Sequence, residues 1–344
     1  MSGKLQPLRE SHVLLGHGSG GKMSAELVQS VFLPAFHNPV LAALNDQAVV
    51  TVEGARLAFT TDSFVVSPPF FPGGDIGCLA VNGTVNDLVV GGAVPICLSA
   101  SFIVEEGFPV ADLRRVAQSM AAAAEAAGVQ IVTGDTKVVE RGAADGLFIT
   151  TAGVGLVPAG RDLGPHRIQP GDLILCSGTV GDHGVAILSL RNGLQFDVPI
   201  ESDSAALGGL VEAMLAAGGE GIHAMRDPTR GGVAASLNEW AMATGTQIVV
   251  EEAAIPLRDE VRAVCELLGI DPLNVANEGK LLAAVAPDVA EAVLAAMRTH
   301  PLGRQAAVVG EVRAGEAGTV FLRTQVGGTR PLEYPSGEQL PRIC

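Results

Sequence analysis

The sequence predicts an α/β protein of two domains and a short tail. Three observations carry that expectation. At 344 residues the chain exceeds what one hydrophobic core usually organises, and two units of ~150 residues are the natural division. Hydrophobic residues make up 48% and charged residues 17%, with 43 glycines where average usage would give roughly 24. Finally, short β-branched runs alternate with Ala- and Leu-rich runs of helical spacing along most of the chain.

"QAVVTV" and "ARLAFTT" flank the turn "EGA" and predict a β-hairpin. "GGDIGCLAVNGTVNDLVVGGA" predicts a helix stopped by its paired glycines. "VADLRRVAQSMAAAAEAAG" places Val110, Leu113, Ala117, Met120 and Ala124 at helical spacing, with Gly128 as the stop. "VQIVTGD" and "GLFITTAGVGLV" follow as strands and complete a first domain over residues 1–160. The segment "PAGRDLGPHRIQPGDL", rich in proline, glycine and charge, marks the boundary. A second domain, residues 161–332, opens with the strand "LILCSG", the helix "ALGGLVEAMLAAG" and the turn "RDPTRGG". It continues through a helix to Trp240, the strand "TQIVVEE" and the helix "LRDEVRAVCELLG", and closes on "KLLAAVA", "VAEAVLAAMRTH", "AAVVGEV" and "TVFLRT". Residues 333–344, "EYPSGEQLPRIC", have no periodicity and predict a flexible tail carrying Cys344. Fully extended, such a tail spans ~40 Å.

The net charge of −15 and the lack of any basic run argue against nucleic-acid binding and against adhesion to an anionic membrane. A polyphosphate ligand would need a metal ion to offset that acidity. Cys78, Cys97, Cys176, Cys265 and Cys344 form no CxxC pair, and most lie in apolar runs, which predicts buried, reduced thiols rather than a disulfide frame. "MSGKLQPLRE" lacks a signal-peptide core, no apolar run approaches ~20 residues, and Cys344 is misplaced for a prenylation box. The expected compartment is the cytoplasm.

"GHGSGGK", residues 16–22, fits both GxGxxG and GxxxxGK, each incompletely. Met23 stands where a Walker loop needs a hydroxyl, and the proline-broken "VFLPAFHNPV" follows where a Rossmann unit needs a regular βαβ continuation. A flexible loop accounts for the glycines as well as phosphate contact does. The aspartates are more informative. Asp46 precedes the first strand, Asp62 and Asp135 follow strands, and Asp87 lies with Asn82 and Asn86 in an otherwise apolar helix. Singly, each reads as a cap or turn residue. Together, four carboxylates beside apolar elements repel one another unless a hard cation such as magnesium holds them.

Taken together, "GHGSGGK", "NDQAVV", "TTDSFVVSP", "VNGTVNDLVVGGA", "TGDTKVV", "SGTVGDHG", "DPTRGG", "ANEGK" and "PRIC" resemble the HypE family of hydrogenase-maturation carbamoyl dehydratases. That family belongs to an ATP-using superfamily with aminoimidazole ribonucleotide synthetase, thiamine-monophosphate kinase and selenophosphate synthetase. The resemblance implies an α/β (α+β) fold of the aminoimidazole ribonucleotide synthetase type. It implies a homodimer whose N-terminal domains build a shared β-barrel, with ATP in the cleft between domains. Mg2+ and the triphosphate would lie on Asp46, Asp62, Asp87 and Asp135, with Asp227 contributing from the second domain and Asn82 beside them. A loop of Gly18, Ser19, Gly20, Gly21 and Lys22 would close over the phosphates. Cys344 would accept a carbamoyl group from HypF, ATP would drive dehydration of the S-carboxamide to a thiocyanate, and the nitrile would pass to the HypC–HypD iron-carrying complex.

A carboxamide oxygen leaves poorly, because the departing group is effectively hydroxide. Phosphorylation turns it into phosphate, and a base removes the nitrogen proton as the C≡N bond forms. Motif matching assigns that work to Lys137 of "GDTKVV" and Glu278 of "ANEGK" together, without dividing the roles. A lysine beside phosphates acts as an electrostatic clamp unless burial lowers its pKa. A proline-spaced arm lets Cys344 visit both an external donor and a closed cleft, which predicts a docked and an exposed tail. Two alternatives stay open. A kinase or synthetase of the same superfamily needs no terminal thiol; selenophosphate synthetase would carry a reactive cysteine near the glycine loop, where none precedes Cys78. A non-catalytic adaptor would use Cys344 as a metal ligand or docking handle, although Arg342 beside it and the lack of a nearby histidine make a poor metal site.

Overall fold

The computed structural model describes residues 11–36, 38–194, 199–337, 340 and 342–344. Residues 1–10 and, within the tail, Glu338, Gln339 and Pro341 lie outside the described residues.

The glycine loop leads into α1 (Gly21–Leu27), which passes through a wider π turn into α2 (Leu33–Phe36). The expected hairpin follows as β1 (Ala48–Val52) and β2 (Ala55–Phe64). Glu53 and Gly54 between them take φ of 49° and 85°, the left-handed pair that a two-residue turn needs to match strand twist. A ribbon of β3 (Phe70–Phe71) and β4 (Gly74–Asp75) precedes α3 (Ile76–Val90). Asp75 caps that helix by accepting from the Gly77 and Cys78 N–H groups. Then come β5 (Val94–Glu105), α4 (Val110–Ala126), β6 (Gln130–Val139) and β7 (Leu147–Val157).

These strands form a sheet of order β1-β2-β7-β5-β6, with β5 and β6 parallel and the other pairs antiparallel. Helices α3 and α4 pack together and cover one face. On α4 the buried positions are Val116, Met120 and Ala124; Val110, expected on that face, opens the helix and stands in solvent. Asp62 and Asp135 lie inside β2 and β6 rather than after them, because both strands run past the aspartate. On the other face Val50, Val52, Phe59, Ile103 and Leu156 are exposed.

The second half contributes β8 (Leu173–Cys176), α5 (Asp182–Arg191), α6 (Gly208–Gly218), β9 (Ile222–Arg226), α7 (Gly232–Thr244), β10 (Gln247–Glu251) and α8 (Asp259–Leu268). It ends with β11 (Leu282–Val285), α9 (Pro287–Thr299), β12 (Ala307–Arg313), β13 (Thr319–Arg323) and β14 (Thr329–Pro331). The sheet order is β14-β13-β10-β12-β8-β11-β9. Helix α7, with Trp240 1% exposed, packs in one hydrophobic core of this sheet, and α6 and α9 belong to another. Strand β11 is buried from end to end, which is why it reads in sequence as an unbroken apolar run. Helix α5 escaped the periodicity argument because Asp182 through Ser189 are all buried, so it has no polar face to alternate with. The core containing α6 and α9 is continuous with the one under α3 and α4, so the two sheets share buried contacts. Among the described residues no helix is long and apolar enough to cross a membrane.

Candidate active site

Asp46 stands just ahead of β1, Asp87 near the end of α3 and Asp227 just past β9; one carboxylate oxygen from each lies within 4.8 Å of the others. Burial raises the Asp87 carboxyl well above its usual range, and the charges of Asp62, Asp227 and Asp46 add to the shift. Asp227 is pushed up to about 8 by burial, then by Asp46 and Asp62. Burial also raises Asp46 against the pull of Arg226, and Asp62 against that of Arg230. Arg226 lies 3.3 Å from Asp46 Oδ1 and 2.5 Å from Glu239 Oε2, while the Thr60 hydroxyl lies 2.7 Å from Asp87 Oδ2. The two arginines, Arg226 and Arg230, are outnumbered by the carboxylates of Asp46, Asp62, Asp87, Asp227 and Glu239. The donor set is all oxygen and convergent, and burial together with mutual repulsion raises its carboxyls, which fits a hard divalent cation such as magnesium.

The glycine loop meets both the second sheet's turn and the tail. Gly20 and Gly21 have φ of 78° and 73°; a Cβ on Gly20 would lie 2.7 Å from the Arg230 carbonyl oxygen, and one on Gly21 2.3 Å from that of Pro335. Glycine is required there for close approach as well as for hand. Arg230 donates to the Gly18 carbonyl at 3.2 Å and Lys22 N–H to Pro335 O at 2.8 Å, while the Lys22 side chain is exposed. Ser19 sits half-buried in the same loop.

The tail is docked, one of its two expected states. Tyr334 OH donates to Glu239 at 2.8 Å, Leu340 and Ile343 are buried, and the Cys344 carbonyl accepts from Val65 N–H at 2.9 Å. The Cys344 thiol is pushed up to about 12, chiefly by burial, with Arg230 pulling it down and Glu278 and Asp62 pushing it up. The thiol therefore sits among the groups assigned to nucleotide and base.

Glu278 is 2% exposed, and its Oε1 has no hydrogen-bond partner. Burial, then Asp227, Asp203 and Asp62, raise its carboxyl well above the usual range against the opposing Arg230. Its backbone N–H donates to Asp203 Oδ1 at 3.0 Å, and Lys280 Nζ meets Asp203 Oδ2 at 3.1 Å. Asn277 accepts from Gly181 N–H at 2.7 Å and donates to Pro228 O at 2.9 Å, which joins "SGTVGDHG", "DPTRGG" and "ANEGK" in one knot. From the first sheet, Asn86 donates to Glu278 O at 3.2 Å and Ala205 O at 3.0 Å, and Asn82 to Ser204 Oγ at 3.1 Å. Asn82 thus lies in the cleft wall. A Cβ on Gly279 would fall 1.7 Å from the Asp203 carbonyl oxygen. Gly279→Ala is expected to cost about 3 kcal/mol of stability, read as a lower denaturant midpoint, because only backbone movement relieves the clash.

Asp135 and Lys137 are not brought to this cluster by the single chain. Across the sheet Asp62 pairs with Thr151, Thr151 with Ala100, and Ala100 with Gly134. At ~4.8 Å per strand, Asp135 is therefore roughly 14 Å away. It pairs instead with Lys137 at 2.7 Å, both exposed on the edge strand β6. Asp203, Arg226, Arg230 and Asn277 were not anticipated. The two arginines were legible as the lone cations flanking "DPT", whereas Asp203 lies in an irregular loop without a motif.

The family described as AIR synthase related protein matches this chain twice, its N-terminal domain over residues 44–157 and its C-terminal domain over residues 169–323. The carbamoyl dehydratase HypE of Rhizobium leguminosarum bv. viciae is 58% identical over 330 residues, covering 96% of this chain and 94% of that protein. The crystal structure of a HypE–HypF complex superposes with a TM-score of 0.85 at 48% identity, covering 90% of this chain and 99% of that one. HypE in complex with ATP gives a TM-score of 0.82 at 49% identity over 97% of this chain and 100% of that one. With a carboxylate cluster, a buried glutamate and a docked terminal thiol in one cleft, and with these likenesses spanning nearly its whole length, the chain belongs to the HypE family of carbamoyl dehydratases within the AIR synthase related proteins.

Proposed function

We propose that this chain dehydrates an S-carboxamide on its own Cys344 to a thiocyanate, with Mg–ATP bound in the cleft, and so supplies the cyanide ligand for [NiFe] hydrogenase maturation. The carrying observation is the docked tail, which holds the half-buried Cys344 beside Glu278 and Asp62. A kinase or synthetase acting on a free small molecule gives no reason for that placement. HypF is the proposed carbamoyl donor, consistent with the HypE–HypF crystal structure, and the HypC–HypD complex the proposed acceptor. The proposed compartment is the cytoplasm.

Asp46, Asp62, Asp87 and Asp227 are the proposed Mg2+ and triphosphate holders, with the Gly18–Lys22 loop over the phosphates and Asn82 at the wall. Bound Mg–ATP supplies the γ-phosphoryl group that makes the carboxamide oxygen a leaving group. The chain's own share is placement and proton transfer. The tail holds the carboxamide out of water, Arg230 offsets negative charge at the sulfur end, and Glu278 accepts the nitrogen proton. Asp135 and Lys137 enter through a homodimer. The uncovered apolar face of the first sheet and the edge strand β6, exposed from Gln130 to Val138, support a barrel shared with a second copy, which would deliver both residues to the neighbouring cleft.

The deciding experiment is intact-mass spectrometry of the chain after incubation with the carbamoyl donor system and ATP. A carboxamide gain mapped to Cys344, followed by ATP-dependent loss of one water, is the expected result. Adduct formation without that loss would reduce the chain to a carrier.

The cluster also predicts a pH dependence. Asp227, raised to about 8, keeps its proton in the folded chain above the pH at which the unfolded chain has lost it. Its stabilising contribution is therefore complete below about pH 4 and is lost as pH rises towards about 8. Metal-free protein should show a falling melting temperature across that window, and Mg–ATP should raise it most at the alkaline end, with proton release. A flat profile, or a shift independent of pH, would remove the cation from Asp227.

A further inference from the structure

The last three residues are gripped by their backbone and by the Arg342 side chain, which donates to the Val65 carbonyl at 3.0 Å and pairs with Asp145. The Arg342 carbonyl accepts from Ser67 N–H at 3.3 Å and from the Arg191 side chain, and the Cys344 carbonyl accepts from Val65 N–H. Between them, the Ile343 carbonyl lies 2.9 Å from His183 Nε2. His183 is fully buried at the start of α5, with its ring edge-on to Phe71 at a centroid distance of 5.5 Å. A carbonyl only accepts, so Nε2 carries the proton, and burial keeps the imidazole neutral. Nδ1 is then an acceptor for the Ser202 hydroxyl, 2.8 Å away, and Ser202 Oγ in turn accepts from Ser204 N–H at 3.1 Å. The residue between these serines, Asp203, holds the Glu278 backbone.

Building on the function proposed above, we propose that His183 is a positioning residue for Cys344. Its Nε2–H latches the tail through Ile343, and its Nδ1 rests on the Ser202–Ser204 segment, whose Asp203 places Glu278. The thiol-bearing residue and the proposed base are thus set by one short segment. Nothing in the tail's side chains is read by His183, so the latch recognises the Ile343 backbone and tolerates whatever Cys344 carries.

The test uses the full chain with its Cys344 reactivity towards N-ethylmaleimide, read by peptide mapping so that the other cysteines do not interfere. His183→Phe keeps the ring against Phe71 and deletes both nitrogens. His183→Gln restores an amide donor at reach, and Ser202→Ala removes only the support. His183→Phe is expected to label Cys344 about tenfold faster and to lose water from carbamoylated Cys344 at least about tenfold more slowly, with carbamoylation itself not slowed. His183→Gln should recover most of both effects, and Ser202→Ala should show smaller changes of the same sign. Wild-type labelling and dehydration in His183→Phe would overturn the latch, and so would failure of Gln to recover either. If His183→Phe does not fold, the Gln and Ala variants decide by the same two readouts. Absence of dehydration in the unsubstituted protein would sink the proposed function instead, while the labelling rates would still judge the latch.

Discussion

Cys344→Ala is expected to leave no carbamoylated and no dehydrated chain at all, while binding of Mg–ATP persists. No other thiol can take over. Cys176 and Cys265 are buried and raised by that burial, Cys265 to about 11, Cys78 is turned back onto the Asp75 backbone at the start of α3, and Cys97 is fixed within the sheet on β5. None of the four sits on an arm that could reach both an external donor and the cleft. The docked state of Cys344 adds a kinetic corollary. With its thiol pushed up to about 12, the docked residue has roughly three orders of magnitude less thiolate near neutral pH than a free cysteine of pKa ~8.5. Carbamoylation is therefore expected on an exposed tail and dehydration on the docked one. Intact-mass measurement on the variant, beside nucleotide binding by calorimetry, checks both halves. Any carbamoyl adduct that survives the substitution and then loses water would move the chemistry to a different residue.

How much of this was legible in the sequence follows from how each feature is encoded. Each carboxylate alone reads as a cap or turn, and only as a set beside apolar runs do Asp46, Asp62, Asp87 and Asp135 point to a cation; Asp135 lies away from the others, and Asp227, which joins Asp46 and Asp87, was legible only through the family's "DPTRGG". The hairpin and the amphipathic α4 were legible because their patterns are local. Helix α5 was not, since a helix buried all round leaves no period to detect. Asp203 and His183 were hidden for another reason: their partners, Glu278 and Ile343, lie 75 and 160 residues further along the chain, and nothing in the surrounding residues announces the meeting. The glycines of "GHGSGGK" illustrate the reverse problem. The left-handed, tightly packed conformation of Gly20 against Arg230 and of Gly21 against Pro335 explains those two without phosphate, so a motif that reads as ligand-binding also has a packing cause. Asp135 and Lys137 carry no mark of their place in the sheet: they lie on the edge strand β6, three strands from Asp62, and the chain does not bring them to the cluster.

Glu278→Gln should separate the base from everything that holds it. The loop geometry depends on backbone bonds, Glu278 N–H to Asp203 and Asn86 to Glu278 O, and glutamine keeps both. Docking of the tail and carbamoylation of Cys344 should therefore survive, whereas water loss should slow by about 10²–10⁴, the usual yield of general acid–base catalysis. The same substitution carries an opposite signature in stability. Because burial and neighbouring carboxylates raise the Glu278 carboxyl, it binds its proton more tightly folded than unfolded. Its contribution is whole below an unfolded pKa of about 4.3 and drains away as pH climbs towards the raised folded value. Glutamine does not titrate, so the variant should match the parent at low pH and outlast it increasingly as pH rises. Melting temperature against pH, set beside single-turnover dehydration, reads both effects. A slow enzyme without the alkaline gain would make Glu278 a structural support rather than a strained base. A stabilised enzyme of undiminished rate would hand the proton to another group, for which Lys137 of a second copy is the next candidate.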